Sequence, residues 1–287
     1  MTAIYEKELR SYFSSMTGWV FISALLLLSG VMTAAVNLSG ALSAFENTLY
    51  TVSYVFLFTV PILTMGVGAD ERKNKTDILL RSLPLSPMDV VMGKYLALLT
   101  VFAVPCTVMC AYPAVLSTYG AVNFPSAYGA LFGFFLLGAC LLAFGMVVSF
   151  SLDSPVIAGV VTFFSLLFTY LLGSVSDLLP DSAFASLAAF ILLTLALCAL
   201  VFYLLKSVAL SVSLFVGISG IICLTYKLNT AAFEGAFGAF LEWLCIYDRF
   251  TVFLTGMFDL SGIVYFLTIT AVCLVFAVQI RYGRGRR

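Results

Sequence analysis

Long uncharged apolar runs alternate with short polar breaks along this chain. Eight runs are long enough for a bilayer crossing, which takes about 20 mainly apolar residues in a helix. They cover residues 17–38, 48–69, 94–117, 128–150, 155–174, 184–205, 207–226 and 260–281. The breaks carry turn chemistry or charge, as in Asn123-Phe124-Pro125-Ser126, Asp153-Ser154-Pro155 and the stretch from Asp177 to Asp181 around Pro180. At Lys206 the break is a single charge, which leaves two readings open: a tight helical hairpin or one long bent helix. The pattern predicts an all-α, polytopic integral membrane protein with about eight transmembrane helices in one transmembrane domain, residues 1–287.

Lysine and arginine set the orientation. With the N-terminus in the cytoplasm and eight alternating spans, the inside receives Lys7, Arg10, Arg72, Lys73, Lys75, Arg81, Lys94, Lys206, Arg281, Arg284, Arg286 and Arg287. That is twelve of the fourteen basic residues; Lys227 and Arg249 fall outside, and the acidic residues split seven and seven. The expected topology is N-in and C-in. An even number of spans follows from it, because dropping one would strand the basic tail on the wrong side.

Two polar-apolar segments flank the spans. Residues 2–14 place Ile4, Tyr5, Leu9, Tyr12 and Phe13 on one broad helical face with the charges opposite, as in a helix lying in the cytoplasmic interface. Residues 227–259 combine a Gly/Ala/Phe-rich run, too short to span, with Glu242-Trp243 and Tyr247-Asp248-Arg249-Phe250. Rings beside charges fit re-entrant or interface-lying helices that cap the outer leaflet, with Trp243, Tyr247 and Phe250 as outer-gate candidates.

One island of charge interrupts the apolar pattern. Asp70-Glu71-Arg72-Lys73-Asn74-Lys75-Thr76-Asp77 precedes Ile78-Leu79-Leu80-Arg81-Ser82-Leu83-Pro84, between uncharged stretches 47–69 and 95–152. Six charges in eight residues cannot lie in a bilayer core, so residues 70–92 are expected to form a cytoplasmic loop. Ile78, Leu79, Leu80 and Leu83 can form an apolar knob, with Glu71, Arg72 and Asp77 around it. An apolar centre with a polar rim is how interfaces concentrate binding energy.

Composition agrees and narrows the function. The chain is 62% hydrophobic and 10% charged, with mean hydropathy +1.12; soluble domains are about 45–50% apolar and about 25% charged. No basic domain suggests nucleic-acid binding. Histidine is absent, which removes His-based acid–base catalysis and His metal ligation. The cysteines Cys106, Cys110, Cys140, Cys198, Cys223, Cys245 and Cys273 fall almost entirely in apolar runs, where cysteine packs as a small hydrophobe. No metal site or catalytic residue is expected. There is no P-loop: Gly93-Lys94 is followed by Tyr95, and Met88 stands where the upstream glycine is required. Charges lie at span ends, which argues against a secondary transporter, and no surface cluster suits a lipid-modifying enzyme. The charges ahead of the uncharged stretch 11–45 do not form a cleavable signal peptide pattern, because that stretch is too long.

Two places carry a family resemblance. One is Lys7-Glu8-Leu9-Arg10-Ser11-Tyr12-Phe13-Ser14-Ser15 running into Gly18-Trp19-Val20-Phe21; the other is Glu71 to Ser86 followed by Gly93-Lys94-Tyr95-Leu96-Ala97. Together they resemble the ABC-2-type transporter permeases, in the subgroup related to gliding-motility and copper-enzyme-maturation permeases. The stretches Tyr247-Asp248-Arg249-Phe250, Gly256 to Leu260 and Val264 to Leu267 are similar to that subgroup's last outer loop and final helix. The middle, residues 120–230, matches only in hydropathy. Three features depart from the family pattern: Lys75 replaces a glycine, which suggests an extended or helical entry into the motif; Met16-Thr17 replaces a proline; and eight spans exceed the usual six, with the extra hairpin assigned to 184–226.

The resemblance implies the permease subunit of an ABC exporter in the inner, cytoplasmic membrane. Its coupling helix would rest in a groove of an ATPase subunit, with Glu71, Arg72, Thr76, Asp77, Leu79, Leu80, Leu83 and Pro84 as coupling residues. Two ATPase copies would bind ATP and Mg, leaving no cofactor in this chain, and a second permease would complete a homodimer or heterodimer surrounded by membrane lipid. A permease-like subunit that transduces force or signal without moving a solute is the alternative.

Overall fold

A computed structural model describes residues 1–38, 45–76, 86–178, 182–205, 208–228, 230–256 and 259–283. Among them there are helices and no strands. The chain divides into two compact units, residues 1–167 with 249–287, and residues 168–248.

The first unit begins with α1 (Thr2–Ser14) and α2 (Met16–Met32), which continues as a π-helical turn over Thr33–Leu38. Ser15 is extended and turns the corner between them. The Ser15 hydroxyl donates to Tyr12 O, and the Trp19 indole N–H donates to Phe13 O at 2.8 Å. The corner is tight: a Cβ on Gly18 would come within 2.4 Å of Tyr12 O. Glycine therefore belongs at this position for close approach rather than for backbone freedom. On the other side, α1 packs on α6 (Pro87–Met109), with Tyr5 bonded to Thr100 across 3.1 Å.

The second apolar run is a broken helix: α3 (Phe45–Ser53), α4 (Phe56–Thr64) and α5 (Gly66–Lys73), with a 53° bend between α3 and the rest. The α4–α5 joint at Met65 frees backbone groups that lipid could not satisfy. Ser149, fully buried on α8 (Phe124–Ser151), satisfies them: its hydroxyl accepts from Gly68 N at 3.0 Å and Ala69 N at 3.3 Å, and donates to Met65 O at 2.9 Å. After α6 comes the short α7 (Tyr112–Leu116). Ser86 caps α6 by accepting from Asp89 N, with Pro87 in the first turn. The Ser86 hydroxyl also donates to the Asp89 carboxylate at 2.6 Å.

Helix α8 is the centre of this unit and packs against α3, α4, α5, α6 and α14 (Leu260–Gly283). Phe102 lies among Phe21, Phe56, Phe134 and Phe135 with ring centroids 5.5–6.3 Å away. Gly138 makes room for it, since a Cβ there would lie 2.3 Å from the Phe102 ring. Aromatic pairs at such distances add about 0.5–1.5 kcal/mol each beyond their buried area. The unit is completed by the start of α9 (Pro155–Leu178), most of α13 (Asp248–Leu254) and α14.

The second unit holds the end of α9, then α10 (Ala183–Leu205), α11 (Val208–Leu228), a 3₁₀ turn (Thr230–Phe233) and α12 (Ala236–Leu244). Helices α10 and α11 pack against each other. Lys206 itself lies outside the described residues; the side-by-side packing of α10 and α11 is that of a hairpin rather than of one long helix. Phe190 of α10 meets Phe233, Phe237 and Phe240, which fastens the hairpin to the following segment.

Among the described residues, five helices are long and apolar enough to cross a membrane, or six if the bent α3–α5 counts as one span. The predicted count of eight is not reached by that measure. The difference falls on α10 and α11, whose described apolar stretches Ala183–Leu195 and Ser213–Leu228 are short.

Candidate functional site

Ion pairs gather several helix ends of the first unit at one place. The chemistry begins with Lys94, two turns into α6. It is 2% exposed, and an ammonium so far from water needs acceptors for its protons. It donates to Val67 O at 2.8 Å and to Glu8 Oε1 at 3.1 Å, and it forms an ion pair with Glu71 Oε1 at 2.8 Å. Glu71 also meets a second cation, with its Oε2 3.5 Å from Arg281 Nη1. Helices α1, α5, α6 and α14 thus meet in one alternating series of charges. Buried ion pairs roughly break even against apolar packing, but removing one partner costs about 3–5 kcal/mol.

The surroundings sharpen this. Tyr12 faces the same carboxylates; burial, with Glu8, Asp70 and Glu71 adding, pushes its phenol well above the ordinary range, so it stays neutral. An open cleft of about 410 Å³ lies beside the cluster, with Lys7, Tyr12 and Ser15 on one wall and Ile62, Met65 and Asp70 on the other. A short way off, Arg72 donates to Leu152 O at 2.9 Å and to Asp153 at 3.1 Å, tying α5 to the α8–α9 connection. The N-terminal helix, the start of the charged island, the α8–α9 connection and the end of α14 therefore share one end of the unit.

The residues singled out from the sequence fall into three groups. Glu71 and Arg72 are turned inward to partners within the chain, and the Thr76 hydroxyl donates to Glu71 O at 3.2 Å. Asp77, Leu79, Leu80, Leu83 and Pro84 lie outside the described residues. Trp243, Tyr247 and Phe250 part company: Trp243 is 54% exposed, Tyr247 is buried against Tyr170, and Phe250 is fully buried against Phe134. Headgroup anchoring, expected of all three rings, is open to Trp243 alone, because packing inside the protein has taken the other two. The charges beside them find local work. Asp259 accepts from Ser261 N and Gly262 N at the start of α14, and Arg249 stands over the Tyr265 ring at 5.7 Å.

Two sequence expectations change. The ends of the predicted 70–92 loop are helical, since α5 runs to Lys73 and α6 starts at Pro87. Lys75 is neither extended nor helical: its φ is 56°, the left-handed region. It is the one non-glycine residue with positive φ among the described residues. Lysine here adopts a conformation that only glycine takes without strain.

Sequence reasoning missed Glu8, Lys94 and Arg281 as members of one cluster. The available signal was that Glu8 and Lys94 both lie in the stretches carrying the resemblance, and that Lys94 is the last charge before the uncharged stretch 95–152. Among the described residues, no group of three or more Cys, Asp or Glu side chains is placed to hold a metal ion.

Comparison with known proteins supplies the frame for this geometry. The family model described as ABC-2 family transporter protein matches residues 9–216, which takes in most of the middle segment where the motifs fall silent. The match does not distinguish the gliding-motility subgroup. No curated protein matches the chain. With 208 consecutive residues matched, an all-helical build and several membrane-length helices, the chain belongs to the ABC-2 family of transporter proteins, as a multi-pass membrane permease component of an ABC transporter.

Proposed function

We propose that this chain is the permease of an exporter in the cytoplasmic membrane, driven by a separately encoded ATPase present in two copies. The ATPase binds ATP and Mg. A second permease, identical or homologous, completes the pathway, and closure of the ATPase dimer rocks the two helix bundles. The chain contributes no catalytic group.

The observation that carries this reading is the shared end of the first unit. Glu8–Lys94, Glu71–Arg281 and Arg72–Asp153 join the segments where the positive-inside pattern concentrates basic residues. The charged island leaves the bundle at that end, where a soluble ATPase would meet it. Its Ile78-Leu79-Leu80 and Leu83 would supply the apolar knob, and Asp77 part of the rim.

Affinity purification of the tagged full chain tests the reading. Wild type should bring down an ATPase subunit. Leu80→Asp and Leu83→Asp should insert normally and lose it, because an unpaired charge in a desolvated knob costs several kcal/mol. Full capture of the ATPase by both variants sinks the docking assignment. Impermeant thiol reagent reaching a cysteine placed at 75 from outside intact cells overturns the orientation.

A further inference from the structure

We propose that Glu71 is a positioning residue that relays movement of the charged segment into the bundle, through Lys94 to α1 and α6 and through Arg281 to α14, and that it does not contact the ATPase. The inference rests on the permease reading above and departs from the sequence expectation, which placed Glu71 on the docking rim.

Burial is the first reason. The Glu71 side chain is 9% exposed, and both of its oxygens face cations of this chain. A rim residue has to present its charge at the surface. The second reason is connectivity. Thr76, at the start of the segment, bonds the Glu71 carbonyl. Glu71 holds Lys94 at 2.8 Å and Arg281 at 3.5 Å, and Lys94 holds Glu8 at 3.1 Å. A pull on the segment therefore reaches three other helices through one carboxylate.

The third reason is that the two arms differ. The Lys94 arm is short, and its ammonium is also held by hydrogen bonds to Glu8 and Val67 O. The Arg281 arm is longer and ends in the last turn of α14. Displacement slackens the Arg281 arm first, while Lys94 keeps α1, α5 and α6 together. That supplies the two discrete arrangements a coupling element needs, with Arg281 engaged or released.

The test uses the full chain with the ATPase that copurifies with it, in nanodiscs, by hydrogen exchange with and without vanadate-trapped ADP. In wild type, trapping should change exchange in α1 and in the last turns of α14. Glu71→Gln should still capture the ATPase, and the α14 response should be lost. Arg281→Gln, a milder change at a helix end, should lose the α14 response and keep that of α1; it decides the matter if Glu71→Gln does not fold. Loss of ATPase capture in folded Glu71→Gln returns Glu71 to the interface and overturns the proposal. An unchanged α14 response in Arg281→Gln overturns it as well. Wild type that captures no ATPase contradicts the permease reading instead, so the two failures are distinguishable.

Discussion

Arg72 Nη1 reaches Asp153 Oδ1 at 3.1 Å, although the two residues stand 81 positions apart and their exposure differs widely. The Asp153 side chain is 83% exposed and the Arg72 side chain 14%. Exposed ion pairs contribute about 0–1 kcal/mol, so the carboxylate adds little. The guanidinium also serves the Leu152 carbonyl. We predict that Asp153→Asn barely moves the thermal midpoint of the purified protein, whereas Arg72→Met lowers it measurably. Equal shifts in a melting assay would assign the stabilisation to the ion pair instead.

Lys94 gives the largest expected loss. Lys94→Met keeps most of the side-chain volume but leaves Glu8 and Glu71 facing each other without the cation between them. The expected cost is about 3–5 kcal/mol. Glu8→Gln should cost less, since Lys94 keeps Glu71 and Val67 O. Thermal melts of both variants check the order, and a Lys94→Met midpoint above that of Glu8→Gln contradicts it.

Gly18→Ala tests the α1–α2 corner. The new methyl group would press on the Tyr12 carbonyl, and overpacking costs about 1–3 kcal/mol. The expected readout is faster proteolysis within residues 10–20, with the remaining helices protected. Wild-type cleavage there would mean that the corner relaxes freely.

Lys75→Gly should stabilise the chain. A left-handed residue with a Cβ costs about 1–2 kcal/mol relative to glycine, offset in part by glycine's extra freedom when unfolded. A small rise in melting temperature is expected, and a fall would indicate that the lysine side chain has a compensating contact.

The outer aromatic residues should respond differently. Trp243→Ser is expected to leave the fold intact and weaken the hold of α12 on the membrane surface, read as increased hydrogen exchange in residues 236–244 in nanodiscs. Phe250→Ser removes a fully buried ring and should lower stability by about 3–5 kcal/mol, as large-to-small aromatic changes do. Equal effects in the two variants would remove the distinction between an exposed and a packed ring.

Much of the architecture was legible because bilayer crossing imposes a length on apolar runs. The described part of each of the eight runs is mostly helix, and α10 and α11 pack side by side. What hydropathy does not encode is how a run breaks: the bend between α3 and α4 and the joint at Met65 depend on neighbours distant in sequence. The site shows the same limit. A charged island reads as water-facing because lipid excludes charge, yet Glu71 avoids lipid by facing Lys94 and Arg281 inside the protein. Membrane rules say where charge cannot go. They do not separate water from a buried counter-ion, and the partners here are 23 and 210 positions away. The burial of Tyr247 and Phe250 was not legible either, because an aromatic ring suits both the headgroup level and a packed interior.

Ser149 has a consequence for the order in which the protein is made. The Met65 joint is satisfied by a hydroxyl that follows Gly68 by 81 residues. When residues 45–73 leave the ribosome, that hydroxyl has not been synthesised. In hydrocarbon, the main chain around Met65 must then bond to itself, which favours an unbroken helix. The joint is therefore a late event, formed when α8 arrives and trades local bonds for its own.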